Sequence, residues 1–351
     1  MRTGAKGEIN LFMKRPIIKI DDNIPYIQGR LEEVADVEYL DQFGFTPETI
    51  KGADAMIIRT RTLCNSELLE NSDVKSIATA TIGTDQIDIP WCSEHGIKIS
   101  NAPGCNAPGV AQYVWSSLLR IGFNPSKHKL GVVGCGNVGS IVADWGRKLG
   151  VEVWISDPPR QDSGQQEDYH PLEEIMSECD AISLHTPLIK SGKYPTRHLI
   201  GERELALMKD GAVLVNAARG AVVDNNALLR KVKEGGIRTI IDTWEDEPAL
   251  NEELLKLVDI GTFHIAGYSN EGKQRATRMV LEAMEKEFGF KVDKSDLAPE
   301  YRPWATIEAE GIIESYDPYV DSKALKNSPK DFDQLRRNYN YRPEYNPDKK
   351  L

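Results

Sequence analysis

The sequence predicts an α/β protein: a Rossmann-type, doubly wound nucleotide-binding domain joined to a second α/β unit and a small C-terminal region. Three observations carry that expectation. Short β-branched runs alternate with segments of helical period along most of the 351 residues, the pattern of parallel strands linked by crossover helices. A glycine loop, Gly134-Cys135-Gly136-Asn137-Val138-Gly139, follows one such run and opens a helical segment. The turn chemistry of Asn101-Ala102-Pro103-Gly104 separates two series of strand-like runs.

The first series reads as Ile17 to Ile20, Ala55 to Ile58, Ser76 to Ala80 and Lys98 to Ser100, and it has no glycine fingerprint. The second reads as Leu130 to Val133, Glu152 to Ile155, Ala181 to Leu184, Ala212 to Val215, Thr239 to Ile241 and Asp259 to Gly261. Between them a helix is expected, with Val110, Tyr113, Val114 and Leu118 on one stripe. These limits give a domain of residues 13–105 with 265–290, a nucleotide-binding domain of 106–264, and a C-terminal region of 291–351.

Composition narrows the function. Hydrophobic residues make up 40% and charged residues 28%, as in water-soluble globular proteins. The net charge of -11 speaks against chain-wide attraction to nucleic acid or an anionic membrane, which require positive potential. Five cysteines (Cys64, Cys92, Cys105, Cys135, Cys179) lack both disulfide-framework and zinc-ligand spacing, so no metal is expected and the compartment reads as a reducing cytoplasm. No apolar run approaches a membrane span or a signal-peptide core. Residues 1–11 are polar and patternless, and Met13 is read as the natural start after a disordered extension.

The glycine loop specifies the cofactor. Gly134 permits a tight turn, Gly136 lets the backbone approach a pyrophosphate, and Gly139 lets helix and strand pack closely. Asn137 and Val138 lie in the same loop, where the helix N-terminus meets a dianion. Asp157, after the next strand, stands where a carboxylate accepts from the adenosine ribose hydroxyls, which favours NAD over NADP. Arg160 nearby leaves two readings open, a solvated loop cation or a phosphate contact.

Three further residues fall at the carboxyl ends of late strands, where ligands of open α/β sheets gather. They are Arg219 in Asn216-Ala217-Ala218-Arg219-Gly220, Glu247 in Asp242-Thr243-Trp244-Glu245-Asp246-Glu247-Pro248, and His264 after Thr262-Phe263. Oxidation of a 2-hydroxyacid needs a cation for the carboxylate, a base for the hydroxyl proton and a group that tunes the base. Each residue alone has a bland reading as an ion pair or loop side chain. Their joint order behind a dinucleotide loop favours chemistry. His95, His128, His170 and His198 have no such neighbours and read as structural, with His185 intermediate.

Those segments, together with Ala102-Pro103-Gly104-Cys105-Asn106-Ala107, Asp157-Pro158-Pro159-Arg160, Ala221-Val222-Val223-Asp224-Asn225 and His264-Ile265-Ala266-Gly267-Tyr268, resemble the D-isomer-specific 2-hydroxyacid dehydrogenases over nearly the whole chain. The resemblance implies a flavodoxin-like substrate domain beside the Rossmann domain. It implies that Arg219 grips the substrate carboxylate, His264 removes the hydroxyl proton and Glu247 partners the histidine. Asp242 is implied to face the nicotinamide, with Thr186, Ala217, Ala218 and Gly267 lining the cofactor cleft. Thr60, Thr81 and Tyr268 match substrate-contacting positions, Thr60 standing where serine is commoner.

Arg59-Thr60-Arg61-Thr62 offers guanidinium groups suited to a phosphate monoester, so a small phosphorylated hydroxyacid is the expected substrate. Alternation along an extended segment leaves either Arg59 or Arg61 as the contact, with Arg59 the better match to the family. Phe332-Asp333-Gln334-Leu335-Arg336-Arg337-Asn338-Tyr339 resembles part of a C-terminal dimerisation region found in some relatives, although here that region is short. It holds Tyr301, Tyr316, Tyr319, Tyr339, Tyr341 and Tyr345, six of twelve tyrosines, which are expected to pack against a partner subunit in a homodimer. A phosphoglycerate dehydrogenase and an NAD-sensing scaffold remain rival readings.

Overall fold

The structure is a computed structural model and describes residues 14–348. The reading of Met13 as the start and of the segment before it lies outside the described residues. The chain divides into two compact units, residues 14–103 with Lys273–Pro299, and Gly104–Gly272 with residues 300–348.

The first unit is a five-stranded parallel sheet of β1 (Ile17–Asp21), β2 (Asp36–Leu40), β3 (Ala55–Ile58), β4 (Ser76–Thr79) and β5 (Lys98–Ser100). Its order, β2-β1-β3-β4-β5, is that of flavodoxin-like folds. The sequence reading missed β2, which pairs Ile17 with Asp36 at the sheet edge. An edge strand needs only part of its surface covered, so Val37 and Tyr39 alternate with charges and no apolar run announces it. Ile18 and Ile20 pack with Val280, Leu281 and Met284 of the helix Asn270–Phe288, while Met56 and Ile58 face a second cluster with Ile50 and Leu69.

The second unit has six parallel strands: β6 (Lys129–Val133), β7 (Glu152–Ser156), β8 (Ala181–Leu184), β9 (Val213–Asn216), β10 (Arg238–Ile241) and β11 (Ile260–Gly261). The order is β11-β10-β9-β8-β6-β7. A lone parallel bridge from Ile155 to Tyr169 extends it beyond β7, in the place of the third Rossmann strand. Strand order reverses between β6 and β8. Ligands of open α/β sheets bind at that switch point, and here the glycine loop after β6 and Thr186 after β8 meet there.

Residues 265–272, assigned from sequence to the first unit, lie in the second, and so do residues 300–348. The physical reason is the helix Ala107–Arg120, buried on all its faces rather than on one stripe. One side packs on the sheet through Tyr113, Val114 and Trp115. The helix Ala309–Ser315 covers another: Ser116 Oγ donates to the Ile312 carbonyl, Arg120 to those of Ile313 and Tyr316, and Gln112 to Ser315 Oγ and the Pro343 carbonyl.

Much of the tyrosine-rich tail packs on its own chain. Tyr345 is 5% exposed and meets Trp145 edge-on at 5.4 Å, its hydroxyl accepting from the Glu308 N–H. Tyr316 is tilted against Tyr113, and Tyr301 accepts from Trp145 Nε1. Tyr319, at 40%, stays exposed. Replacing Tyr345 with Ala removes a buried ring and leaves a cavity beside Trp145, so urea denaturation should show a loss of about 3 kcal/mol.

Candidate active site at the carboxyl ends of the second sheet

The glycine loop is built around three different demands. Gly134 has φ 88, and a Cβ there would lie 2.9 Å from Thr186 Cγ2 and 3.0 Å from the His185 carbonyl carbon. At Gly139 a Cβ would sit 2.0 Å from the Gly134 carbonyl oxygen, so only glycine lets the helix Asn137–Lys148 start this close to β6. Gly136, by contrast, has nothing within 4 Å of its Cβ position, and it caps the helix with no side-chain bond. The helix N-terminus thus has no side-chain cap, and space stays open beside Gly136, as a pyrophosphate requires. Val138 packs against the core, and the Asn137 side chain lies against Gly104.

Asp157 caps the helix Pro158–Asp162. Its carboxylate accepts from the Cys135 N–H at 2.8 Å and the Arg160 N–H at 3.1 Å, with Arg160 Nε 3.7 Å away. This ties β7 to the glycine loop and leaves acceptor capacity on both oxygens. Arg160 also donates to Gln165, which places it as a loop cation tied to its own turn. On the other side of the switch point, Thr186 Oγ1 is buried without a hydrogen-bond partner. Burying a hydroxyl unpaired is unfavourable. An open helix N-terminus, a Cβ-free approach at Gly136 and an orphaned hydroxyl together fit a bound dinucleotide. His185, bonded to Ser183 Oγ, is held neutral by burial, its pKa pushed down to about 3.

Farther along the sheet, β9 ends in Asn216, whose amide donates to the Arg219 carbonyl and whose oxygen accepts from the Ala218 N–H. Ala217 is half-buried, Ala218 buried, and Arg219 Nη1 donates to the Ala218 carbonyl. Gly220, which sequence reasoning passed over, is essential to this turn. A Cβ there would lie 1.9 Å from the Trp244 carbonyl oxygen.

His264 and Glu247 meet as expected from the sequence. His264 Nδ1 lies 2.8 Å from Glu247 Oε2, and the Trp244 N–H donates to Oε1 at 2.8 Å. Burial disfavours the charged carboxylate, yet His264, the Trp244 N–H and the positive charge of Arg336 outweigh it, and Glu247 titrates below its ordinary range. Both partners are only partly covered, with 30% and 21% of their side chains exposed.

His264 has φ 58, a left-handed conformation that costs a non-glycine residue about 1–3 kcal/mol unless its surroundings over-determine it. They do. Asp242, 1% exposed, accepts from Thr262 Oγ1 at 2.6 Å, the Ile265 N–H at 2.8 Å and the Ala266 N–H at 2.9 Å, while its carbonyl accepts from the His264 N–H. Three donors inside its own chain therefore occupy the carboxylate that was expected to face the nicotinamide. From the opposite side Arg342, 7% exposed, donates to the carbonyls of Ile265, Ala266 and Tyr268 and to that of Gly109. Its guanidinium also stacks 4.4 Å from the Tyr316 ring. No motif pointed to Arg342.

Gly267 packs so tightly on Asn106 that a Cβ would lie 1.9 Å from Nδ2. Tyr268 is boxed by Tyr339 and Tyr341, with Arg336 5.3 Å over its ring. His198, read from sequence as unpartnered, pairs with Glu245 at 2.7 Å.

In the first unit Arg59, Thr60 and Thr81 lie in the loops after β3 and β4. Arg59 Nη1 donates to the Asn23 carbonyl at 2.7 Å, Thr60 and Arg61 are exposed, and Thr81 Oγ1 is 2.7 Å from Thr79 Oγ1. Gln86, another residue the sequence did not flag, joins the two loops by donating to the Arg59 carbonyl and to Thr79 Oγ1.

Residues 109–266 match the family described as D-isomer specific 2-hydroxyacid dehydrogenase, NAD binding domain. The chain is 46% identical over 335 residues to the erythronate-4-phosphate dehydrogenase of Bacteroides fragilis, covering 93% of this chain and 96% of that one. It is 40% identical over 350 residues to that of Escherichia fergusonii, covering 93% and 92%. Among solved structures it is similar to D-lactate dehydrogenase from Aquifex aeolicus complexed with NAD and lactic acid, at TM-score 0.63 and 26% identity over 78% of this chain and 95% of that one. It shares the fold of NAD+-bound 3-phosphoglycerate dehydrogenase from Entamoeba histolytica, at TM-score 0.66 and 24% identity over 82% and 100%. A nearly full-length likeness of this strength, with a dinucleotide loop and a paired histidine and glutamate on the matched domain, means that the chain belongs to the NAD-dependent D-isomer specific 2-hydroxyacid dehydrogenase family.

Proposed function

We propose that this protein oxidises 4-phospho-D-erythronate at C2 to 3-hydroxy-2-oxo-4-phosphobutanoate, a step of pyridoxal 5'-phosphate synthesis. The observation that carries the chemistry is the 2.8 Å contact between His264 Nδ1 and Glu247 Oε2 beside a dinucleotide loop. The substrate follows the relatives named erythronate-4-phosphate dehydrogenase.

NAD, when bound, accepts the hydride from C2. Gly134, Gly136, Asn137, Val138 and Gly139 hold its pyrophosphate, Asp157 its ribose, and Thr186, Ala217, Ala218, Asp242 and Gly267 line its cleft. Arg219 grips the substrate carboxylate. Because Nδ1 faces an ionised glutamate, the neutral ring carries its proton there and presents Nε2 as the base for the C2 hydroxyl. Glu247 then stabilises the imidazolium that forms. Arg59, Thr60, Thr81 and Tyr268 complete the substrate contacts.

The protein is further proposed to be a cytoplasmic homodimer joined through its C-terminal region. No helix among the described residues is long and apolar enough to cross a membrane. Five free cysteines suit a reducing compartment. Tyr319 and Val320, 40% and 66% exposed on the helix Pro318–Asn327, offer an apolar patch for a second copy.

Turnover of 4-phospho-D-erythronate should exceed that of 3-phosphoglycerate, and His264→Ala should cut it about 10²–10⁴-fold while leaving NAD binding intact. Oxidation needs the unprotonated imidazole and reduction the imidazolium, so oxidation should quicken as pH rises and reduction as it falls. Unchanged turnover in the variant would sink the assignment. Asp157→Asn should weaken NAD about tenfold or more in a titration and narrow the preference over NADP. Sedimentation of Val320→Glu should show a monomer where the unaltered protein sediments as a dimer.

A further inference from the structure

Arg336 lies in the helix Phe332–Arg337, on the arm that folds back beside the catalytic loop. Its side chain is half-buried, and Nε is buried with no hydrogen-bond partner. The guanidinium lies 5.3 Å over the Tyr268 ring. A guanidinium has five donors and cannot shed its charge, so partial burial without an acceptor is unfavourable. The other arginines of this region are committed. Arg342 is saturated by carbonyls, and Arg219 donates to Ala218.

The charge of Arg336 acts on Glu247, whose two oxygens serve His264 and the Trp244 N–H. A phosphorylated hydroxyacid has two anionic ends. With Arg219 proposed for the carboxylate, the phosphate calls for a second cation.

We propose that Arg336 and the ring of Tyr268 form an anion subsite for the phosphate of the substrate, which makes Arg336 a specificity-determining residue delivered by the C-terminal arm. The proposal rests on the reading that the substrate is phosphorylated. Arginine suits the site because its planar fork engages a phosphate in two parallel bonds and stacks on an aromatic face.

The test uses the full-length protein with NAD, and Arg336→Gln and Arg336→Lys as variants, each checked for an unchanged melting temperature and NAD affinity. Arg336→Gln should raise KM for 4-phospho-D-erythronate about 10- to 100-fold, the loss of one charge-assisted contact pair. KM for unphosphorylated D-erythronate should stay within about twofold, because that substrate never used the contact. Arg336→Lys should fall between, keeping charge without the fork. Inorganic phosphate should compete with the phosphorylated substrate in the unaltered protein and much less in Arg336→Gln.

Equal losses for both substrates with a displaced pH profile would overturn the proposal, because Arg336 would then act through Glu247 and His264. An unchanged KM for the phosphorylated substrate would overturn it as well. If the unaltered protein shows no preference for the phosphorylated acid, the substrate reading fails. Loss of inorganic phosphate binding in Arg336→Gln would uphold the anion subsite even then.

Discussion

Two opposite charges hold one stretch of backbone, and the site depends on them. Asp242 takes the N–H groups of Ile265 and Ala266, and Arg342 takes the carbonyls of Ile265, Ala266 and Tyr268. A short loop with two donors bound to a carboxylate and three acceptors bound to a guanidinium has little freedom to adopt another conformation. That constraint keeps His264 in a left-handed backbone and sets its ring against Glu247. Each charge is buried, and a buried charge is tolerable only when fully hydrogen-bonded, so loop and anchors stabilise one another.

The same arrangement explains how a sheet common to many proteins becomes one particular active site. The switch point between β6 and β8 places a dinucleotide, and it does so with glycines and an open helix end. The His264–Glu247 pair comes from the segments after β10 and β11, farther along the sheet. What makes the two cooperate is close backbone packing: Gly220 against Trp244, and Gly267 against Asn106. Neither contact involves a functional side chain, yet each fixes where one stands.

Much of this was legible in the sequence because it depends on local pattern. The glycine loop and the strands of both sheets apart from β2 follow from periodicity and turn chemistry, while Arg219, Glu247 and His264 stood out by their places at strand ends and by the family resemblance. Contacts distant along the chain were not legible. Arg342 lies 76 residues beyond the Ala266 carbonyl it binds, inside an unremarkable polar stretch. Gln86 joins two loops of the first unit without any motif. Asp242 stands out in the sequence, but its orientation toward its own loop depends on the packing of β10 and β11. The tail's tyrosines signalled burial, and composition alone could not say against which surface.

Both anchors of the catalytic loop bind main-chain atoms. The side chains of Ile265 and Ala266 are buried in the core, whereas the Tyr268 ring is only partly covered, and a different residue at 268 would present the same carbonyl to Arg342 at the same place. Such a loop can exchange what it recognises while keeping what it does. Evolution or design could retune substrate preference here by single replacements, without first rebuilding the catalytic pair.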